Sequence, residues 1–258
     1  MEEIQTKPSD RSINRFIGSS SVSGAFWRSS EIAVMSGLKL KKPVLDLGCG
    51  NGRYADIVFD GTIDIGLDIS HRAIKEARKN NVYGKYIVSD ANNIPLPDKS
   101  VNSVFSNSVF EHISDLKPVI KEVGRILSKG GHLVFTTHAP LSKRYFGASL
   151  LKKLRLDKLA FWYKNYYLHM HQLKTTWSLK RWREELGRAK LKIVVSKETI
   201  SPGTAFWYEL FMPISFLQNR LPVLKKNSLS RTIFRIINPD YKSTCKNGRN
   251  YYIEAVKL

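Results

Sequence analysis

The sequence predicts an α/β fold of the doubly wound kind around one nucleotide-binding corner, and three observations carry that reading. Residues 43–52 read Pro-Val-Leu-Asp-Leu-Gly-Cys-Gly-Asn-Gly, an apolar strand running into a glycine turn. A second apolar stretch ends in Gly66-Leu67-Asp68, which puts a carboxylate 20 residues beyond Gly48. Short apolar strands then alternate with helix-like segments as far as Pro140, the pattern of parallel βαβ units.

Each element has its own reason. Val44, Leu45 and Leu47 suit a buried strand. Gly48, Gly50 and Gly52 permit a sharp turn with backbone close to a ligand, and Arg53 to Phe59 can open a helix behind it. A dinucleotide site needs glycine at the first, third and sixth positions of this turn; counted from Gly48, the sixth is Arg53. Asp46, inside the strand's end, would repel phosphate. The corner therefore suits a ligand with a cationic amino-acid portion and no phosphate, and S-adenosylmethionine (SAM) is such a ligand. Thr62 to Leu67 is the second strand, and Asp68 stands where such a fold uses an acid to accept from both ribose hydroxyls. Ser70 caps a helix over His71 to Lys79. Lys85 to Val88 is the third strand, followed by Asp90, an acid able to accept from an adenine amino group. Val101 to Phe105 is the fourth strand and leads into Ser106-Asn107-Ser108-Val109-Phe110-Glu111-His112. Helical periodicity covers Leu116 to Leu127, Lys129-Gly130-Gly131 ends it, and His132 to Thr137 is the fifth strand.

On these motifs, taken in order, the segment from Val44 to Pro140 resembles the methyltransferase domain of the class I SAM-dependent methyltransferases. The resemblance implies a Rossmann-like seven-stranded sheet with helices on both faces and the last strand antiparallel. It implies SAM as cofactor, with contacts at Asp46, Gly48, Cys49, Gly50, Asn51, Gly52, Asp68, Ile69, Asp90, Ala91, Ser106 and Asn107. The alternatives are a doubly wound domain for another nucleotide, or an inactive relative, because fold alone never fixes chemistry.

The chain has 258 residues, enough for one α/β domain with insertions. Its two cysteines, Cys49 and Cys245, imply neither a disulfide framework nor a metal site. Cys49 inside the turn also reads as a small packing residue. His169 and His171 flank Met170 without a neighbouring carboxylate, so no metal is expected. The polar stretch from Met1 to Ser23 lacks a signal pattern, and no apolar run reaches the roughly 18 residues of a membrane span. A cytoplasmic protein is expected, peripheral to a membrane surface if its basic half docks there.

Charge is uneven. Residues 141–258 hold 24 Lys and Arg against 7 Asp and Glu, whereas residues 1–140 hold 18 against 15. The same C-terminal part has 18 of the 28 aromatics. Basic and aromatic together fit an anionic partner: an anionic membrane, nucleic acid or a phosphorylated substrate. A merely solvated basic surface is the plain alternative.

The C-terminal half completes the domain rather than forming its own. Ser178 caps a helix to Leu186, Lys190 to Ser196 alternates as a sixth strand, and Tyr251 to Val256 is a final strand. One domain over 1–258 results, with its core at 40–140, 178–198 and 249–258. In the architecture that the resemblance implies, insertions at 141–177 and 199–248 leave the carboxyl edge of the sheet, where ligands bind, as candidate lids or substrate walls. The first reads as a basic amphipathic helix over Leu150 to Leu156, followed by Phe161-Trp162-Tyr163. The second has Ala205 to Ile214, broken by Pro213, then Leu221, Leu224 and Lys225-Lys226. Apolar groups flanked by cations suit a membrane interface; packing onto the sheet around a deep pocket is the alternative, and RNA binding a third.

Methyl transfer is a direct displacement that needs proximity and alignment, and a base only if the nucleophile begins protonated. His112, after strand four, is the candidate base, with helix capping its structural alternative. Glu111 is a candidate to orient the methionine moiety or the substrate, and His138, after strand five, to face the substrate. Position 106–109 lacks the Asn/Asp-Pro-Pro-Tyr-type signature of many enzymes that methylate base amino groups. The expectation is methyl transfer from SAM to a small-molecule acceptor, lipid-linked or saccharide, at oxygen. The alternatives are an RNA methyltransferase and a non-catalytic SAM-binding partner protein.

Overall fold

The computed structural model describes residues 2–140, 146–221, 228–237, 244–245 and 247–258. The chain opens with β1 (Glu3–Thr6), α1 (Ser9–Ile17), α2 (Val22–Val34) and β2 (Lys39–Lys41), then continues through β3 (Val44–Leu47), α3 (Arg53–Val58), β4 (Phe59–Asp60), β5 (Ile63–Asp68), α4 (His71–Asn80), β6 (Tyr83–Val88) and β7 (Val101–Asn107). A 3₁₀ turn (Phe110–His112), α5 (Lys117–Ile126) and β8 (Leu127–His138) follow. After them come α6 (Phe146–Lys153), α7 (Asp157–Met170), α8 (Leu179–Arg188), β9 (Leu191–Thr199), α9 (Pro202–Leu210), α10 (Met212–Arg220), α11 (Ser228–Ile237) and β10 (Asn250–Lys257).

Seven strands form one sheet in the order β6-β5-β3-β7-β8-β10-β9. The first five run parallel and β10 is antiparallel to both its neighbours, as expected from the resemblance. Side chains alternate across the sheet. Val44 of β3 joins a core with α1, α2 and the C-terminal helices, while Leu45 and Leu47 join a second core with α5 and α8. Apolar burial on both faces is why these strands read as continuous hydrophobic runs. Ser178 accepts from Arg181 N and caps α8, as expected.

Two differences from the sequence-based expectation have local causes. Strand five begins at Leu127 rather than His132. Its pairing with β7 jumps from Val101↔Leu127 to Ser103↔His132, so residues 128–131 bulge out of a continuous strand. Gly130, at φ +73°, makes that bulge. The second difference is the N-terminal segment, polar in composition but helical and packed. Residues Ser23, Ser29 and Ser30 of α2 are buried beside Phe26, so small hydroxyl side chains let this helix lie close to its neighbours.

The second insertion rests on α2. Gln218 Oε1 and Ser215 Oγ of α10 accept from the backbone N–H groups of Val22 (3.0 Å) and Ser23 (2.8 Å), two donors a helix start leaves unsatisfied. Phe26 stacks on Phe211 and packs on Phe234 at ring distances of 5.9 and 4.4 Å. The 205–214 stretch divides at Phe211, with Pro213 in the first turn of α10. Leu224, Lys225 and Lys226 lie outside the described residues. Among the described residues no helix is long and apolar enough to cross a membrane.

Candidate active site at the carboxyl edge of the sheet

The glycine turn leaves β3 at the centre of the sheet. Gly48 (φ +76°), Gly50 (φ +54°) and Gly52 (φ +74°) all occupy left-handed backbone. The N–H groups of Gly48 and Cys49 both donate to Leu67 O, at 2.8 and 2.9 Å, which folds the turn against β5. A methyl group on Gly48 would collide with Val109, whereas one on Gly50 would meet nothing within 4 Å. Gly50 thus faces open space at the mouth of the turn, where a ligand's backbone contact belongs. Gly50→Ala is expected to keep the fold's melting temperature within a few degrees, since only backbone strain of about 1 kcal/mol is added. The same change should weaken SAM binding at least about tenfold in titration calorimetry.

Asp68 ends β5 and organises this mouth. Its Oδ2 accepts from Gly50 N and its Oδ1 from Ser70 N, both at 2.8 Å. Each oxygen keeps a lone pair for a further donor. Ile69, beside it, is 66% exposed, an apolar surface with no protein to cover it. Asp90 is exposed and accepts from Asn92 N at 2.8 Å, while Ala91 is half-buried behind it. Asn51 is exposed; its Oδ1 accepts from Arg53 N and its carbonyl from Asn80.

The floor is acidic. Asp46 is buried and accepts from Tyr83 Oη at 2.6 Å. Burial, with the neighbouring charge of Asp68, raises its pKa to about 7 despite that bond. Burial also pushes the Cys49 thiol well up, so Cys49 packs as a neutral group. Ser106 and Asn107 are engaged inside the protein. Ser106 Oγ donates to Leu47 O at 2.9 Å, tying β7 to β3. Asn107 accepts from Thr136 Oγ1 and donates to Glu31.

Glu31 is the residue the sequence reading missed. It lies fully buried on α2, across the ends of β7 and β10. Trp27 Nε1, Ser108 Oγ and Asn250 Nδ2 donate to its Oε1, and Arg28 and Asn107 to its Oε2. One local signal was available: a lone acid before the apolar Ile32-Ala33-Val34-Met35, one helical turn after Trp27 and Arg28. Glu31→Ala would strip five donors of their acceptor, four of them without charge. A loss of about 3–5 kcal/mol in urea unfolding is expected.

Glu111 and His112 part company in the 3₁₀ turn. His112 faces outward, its Nδ1 3.2 Å from Gln172 O. Glu111 is buried, and neither carboxylate oxygen has a close hydrogen-bond partner, although the Thr137 side chain is near enough to favour its charged form. Burial, reinforced by nearby Glu31, raises its pKa to about 8. His138 Nε2 lies 3.9 Å from Glu111 Oε1, and the imidazole stacks on Trp27 at 4.5 Å. Burial, with His171 nearby, holds His138 well below the ordinary histidine value, so it stays neutral. Tyr208 Oη sits 3.0 Å from His171 Nε2, and Tyr208 packs on Trp27 at 5.1 Å. The result is an aromatic wall beside an orphaned carboxyl.

This donor set suits SAM. Asp68 and the open face of Gly50 match a ribose, and carboxyl groups without a phosphate cradle match a cationic amino acid and sulfonium. The orphaned Glu111 carboxyl has the polar demand that a bound cation or hydroxyl would meet. Among the described residues no group of three or more His, Cys, Asp or Glu side chains could hold a metal ion.

The sheet order and the glycine corner are those of the Rossmann-like methyltransferase fold. Residues 45–135 match the family model described as "Methyltransferase domain". The chain is 33% identical over 106 residues to a malonyl-(acyl-carrier protein) O-methyltransferase of Hamiltonella defensa subsp. Acyrthosiphon pisum, covering 41% of each chain. It is 30% identical over 123 residues to a demethylmenaquinone methyltransferase of Thermotoga maritima, covering 46% of this chain and 53% of that protein. The chain therefore spans about two fifths to one half of these two curated relatives. A SAM-dependent methyltransferase structure from Thermotoga maritima aligns with a TM-score of 0.53 at 18% identity, over 95% of this chain and 91% of that one. The cyclase SpnF aligns at 0.56 and 15%, over 91% and 81%. These structural likenesses concern the fold alone.

Proposed function

We propose that the protein transfers a methyl group from SAM to an oxygen of a small acceptor molecule that is lipid-linked or a saccharide. The observation that carries this reading is the buried Glu111 carboxyl, without a close hydrogen-bond partner, beside neutral His138 at the carboxyl edge of the sheet. When bound, SAM supplies an electrophilic methyl carbon on a sulfonium. Asp68 and the glycine turn hold the nucleoside end, with Ile69, Asp90 and Ala91 beside the base. Glu111, not the outward-facing His112, takes the acceptor's hydroxyl proton onto a carboxylate oxygen. A carboxyl that titrates near pH 8 is poised for that transfer at neutral to mildly alkaline pH. His138, Trp27, His171 and Tyr208 exclude water and hold the acceptor against Glu111.

The curated relatives support the oxygen acceptor, since those from Hamiltonella defensa and Yersinia pestis are both O-methyltransferases by name. The basic, aromatic insertions support work at an anionic membrane surface in preference to RNA. A binding titration tests the reading first: SAM should bind with 1:1 stoichiometry, its affinity should rise between pH 6 and 9 as Asp46 and Glu111 ionise beside the cation, and Glu111→Gln should shrink that rise. A rise as large in Glu111→Gln as in the unmodified chain would remove Glu111 from the site.

A further inference from the structure

A cavity of about 400 Å³ opens between α7 and the α9–α10 corner. Tyr163, Tyr166, Tyr167, Met212, Phe216 and Leu217 line it. Glu209, the one acidic side chain in the lining among the described residues, is paired: it bonds the buried Arg249 and accepts from Tyr163 Oη (2.8 Å) and Gly147 N (3.0 Å). Among the described residues the lining is therefore apolar and aromatic, and its one charged side chain is already paired.

The mouth of this cavity is an exposed apolar face. Tyr166, Phe216 and Leu217 line the cavity and are themselves 42%, 42% and 50% exposed. Eleven of the sixteen large apolar side chains that stand exposed among the described residues lie between Leu154 and Tyr166 or between Leu210 and Leu221. Such concentration on one pair of insertions is unlike the scattered exposure of an ordinary surface. Cations accompany it. Segments 146–170 and 202–220 have six Lys and Arg against Asp157 and Glu209, and Glu209 is paired. Arg220 lies over the Phe216 ring at 4.6 Å, at the rim itself.

The inner end approaches the proposed active site. Tyr167 lines the cavity and packs on His171 at 4.2 Å, and His171 lies 6.3 Å from His138, the neighbour of Glu111. We propose that this cavity receives the apolar chain of a lipid-linked acceptor, and that the surrounding face docks on an anionic lipid leaflet to collect it. Exposed aromatics with cations at their rim complement such a leaflet in both apolarity and charge. This inference rests on the methyltransferase reading for the identity of the cavity's ligand, while the docking face can be tested without it.

Vesicles of neutral phosphatidylcholine, with or without 30% phosphatidylglycerol, provide the probe. At low salt the full chain should co-sediment with the anionic vesicles at least about tenfold more than with neutral ones, and raised salt should reverse the binding. The double variant Phe216→Glu, Leu217→Glu alters exposed side chains and should lose at least about tenfold in anionic-vesicle binding. SAM affinity, measured in parallel, should be unchanged by these substitutions. Equal binding to both vesicle types, or full binding by the double variant, would overturn the proposal. So would a dimer that the double variant converts to monomer, because the face would then be an interface between copies. Loss of SAM binding in the unmodified chain, with vesicle binding intact, would instead defeat the methyltransferase reading alone.

Discussion

Glu111→Gln is expected to lower methyl transfer by about 10²–10⁴-fold, the contribution of a positioned general base. Activity of the unmodified protein should rise with pH through about 8, where the buried carboxyl ionises, and the variant's residual activity should be flat there. The same substitution should stabilise the fold. Glu111 keeps its proton up to about pH 8 when buried, against an ordinary value of 4.5. Between those values the folded protein binds a proton that the unfolded chain has released, so stability falls as pH rises through the window. Glutamine removes this penalty, which amounts to about 2–5 kcal/mol. The variant should therefore melt higher than the unmodified protein at pH 8.5 and nearly level with it at pH 4.5. Melting curves at both values, with initial rates between, decide the point. A variant that loses activity without the pH-dependent gain would place Glu111 outside the buried site.

Asp68→Ala should have the next largest effect, on cofactor affinity. A ribose would lose two charge-assisted hydrogen bonds, each worth roughly 1.5–3 kcal/mol. Gly50 N and Ser70 N would lose the acceptor that shapes the glycine mouth. SAM affinity should fall by about 100-fold or more, at tenfold per 1.4 kcal/mol. Asp90→Ala makes the comparison, because Asp90 is exposed and its partner within the protein is a local turn. It should cost roughly tenfold or less. Calorimetric titration of both variants against the unmodified chain separates them.

Most of the sheet was legible because its signals are local. A strand that ends in a glycine turn, or in an acid before a capping serine, is written within ten residues of sequence. The last strand's antiparallel course came with the family resemblance, because periodicity alone does not orient a strand. What stayed hidden depends on contacts between distant parts of the chain. Three of the five donors to Glu31 are Asn107, Ser108 and Asn250, up to 219 residues away, and only Trp27 and Arg28 lie near it in sequence. The N-terminal helices were masked by their serines, whose burial beside Phe26 becomes evident only once α10 and α11 pack on α2. The choice between Glu111 and His112 turned on rotation within one 3₁₀ turn. Adjacent residues there point in different directions, and sequence position cannot say which of two neighbours faces inward.

Transfer from SAM with a tritiated methyl group tests the central claim most directly. The purified protein is incubated with a membrane lipid extract, a low-molecular-weight saccharide fraction and total RNA in separate reactions. Label should enter the lipid or saccharide fraction, depend on Glu111, and remain absent from RNA. Label confined to RNA, or SAM binding without label in any fraction, would contradict methyl transfer to a small oxygen acceptor at this site.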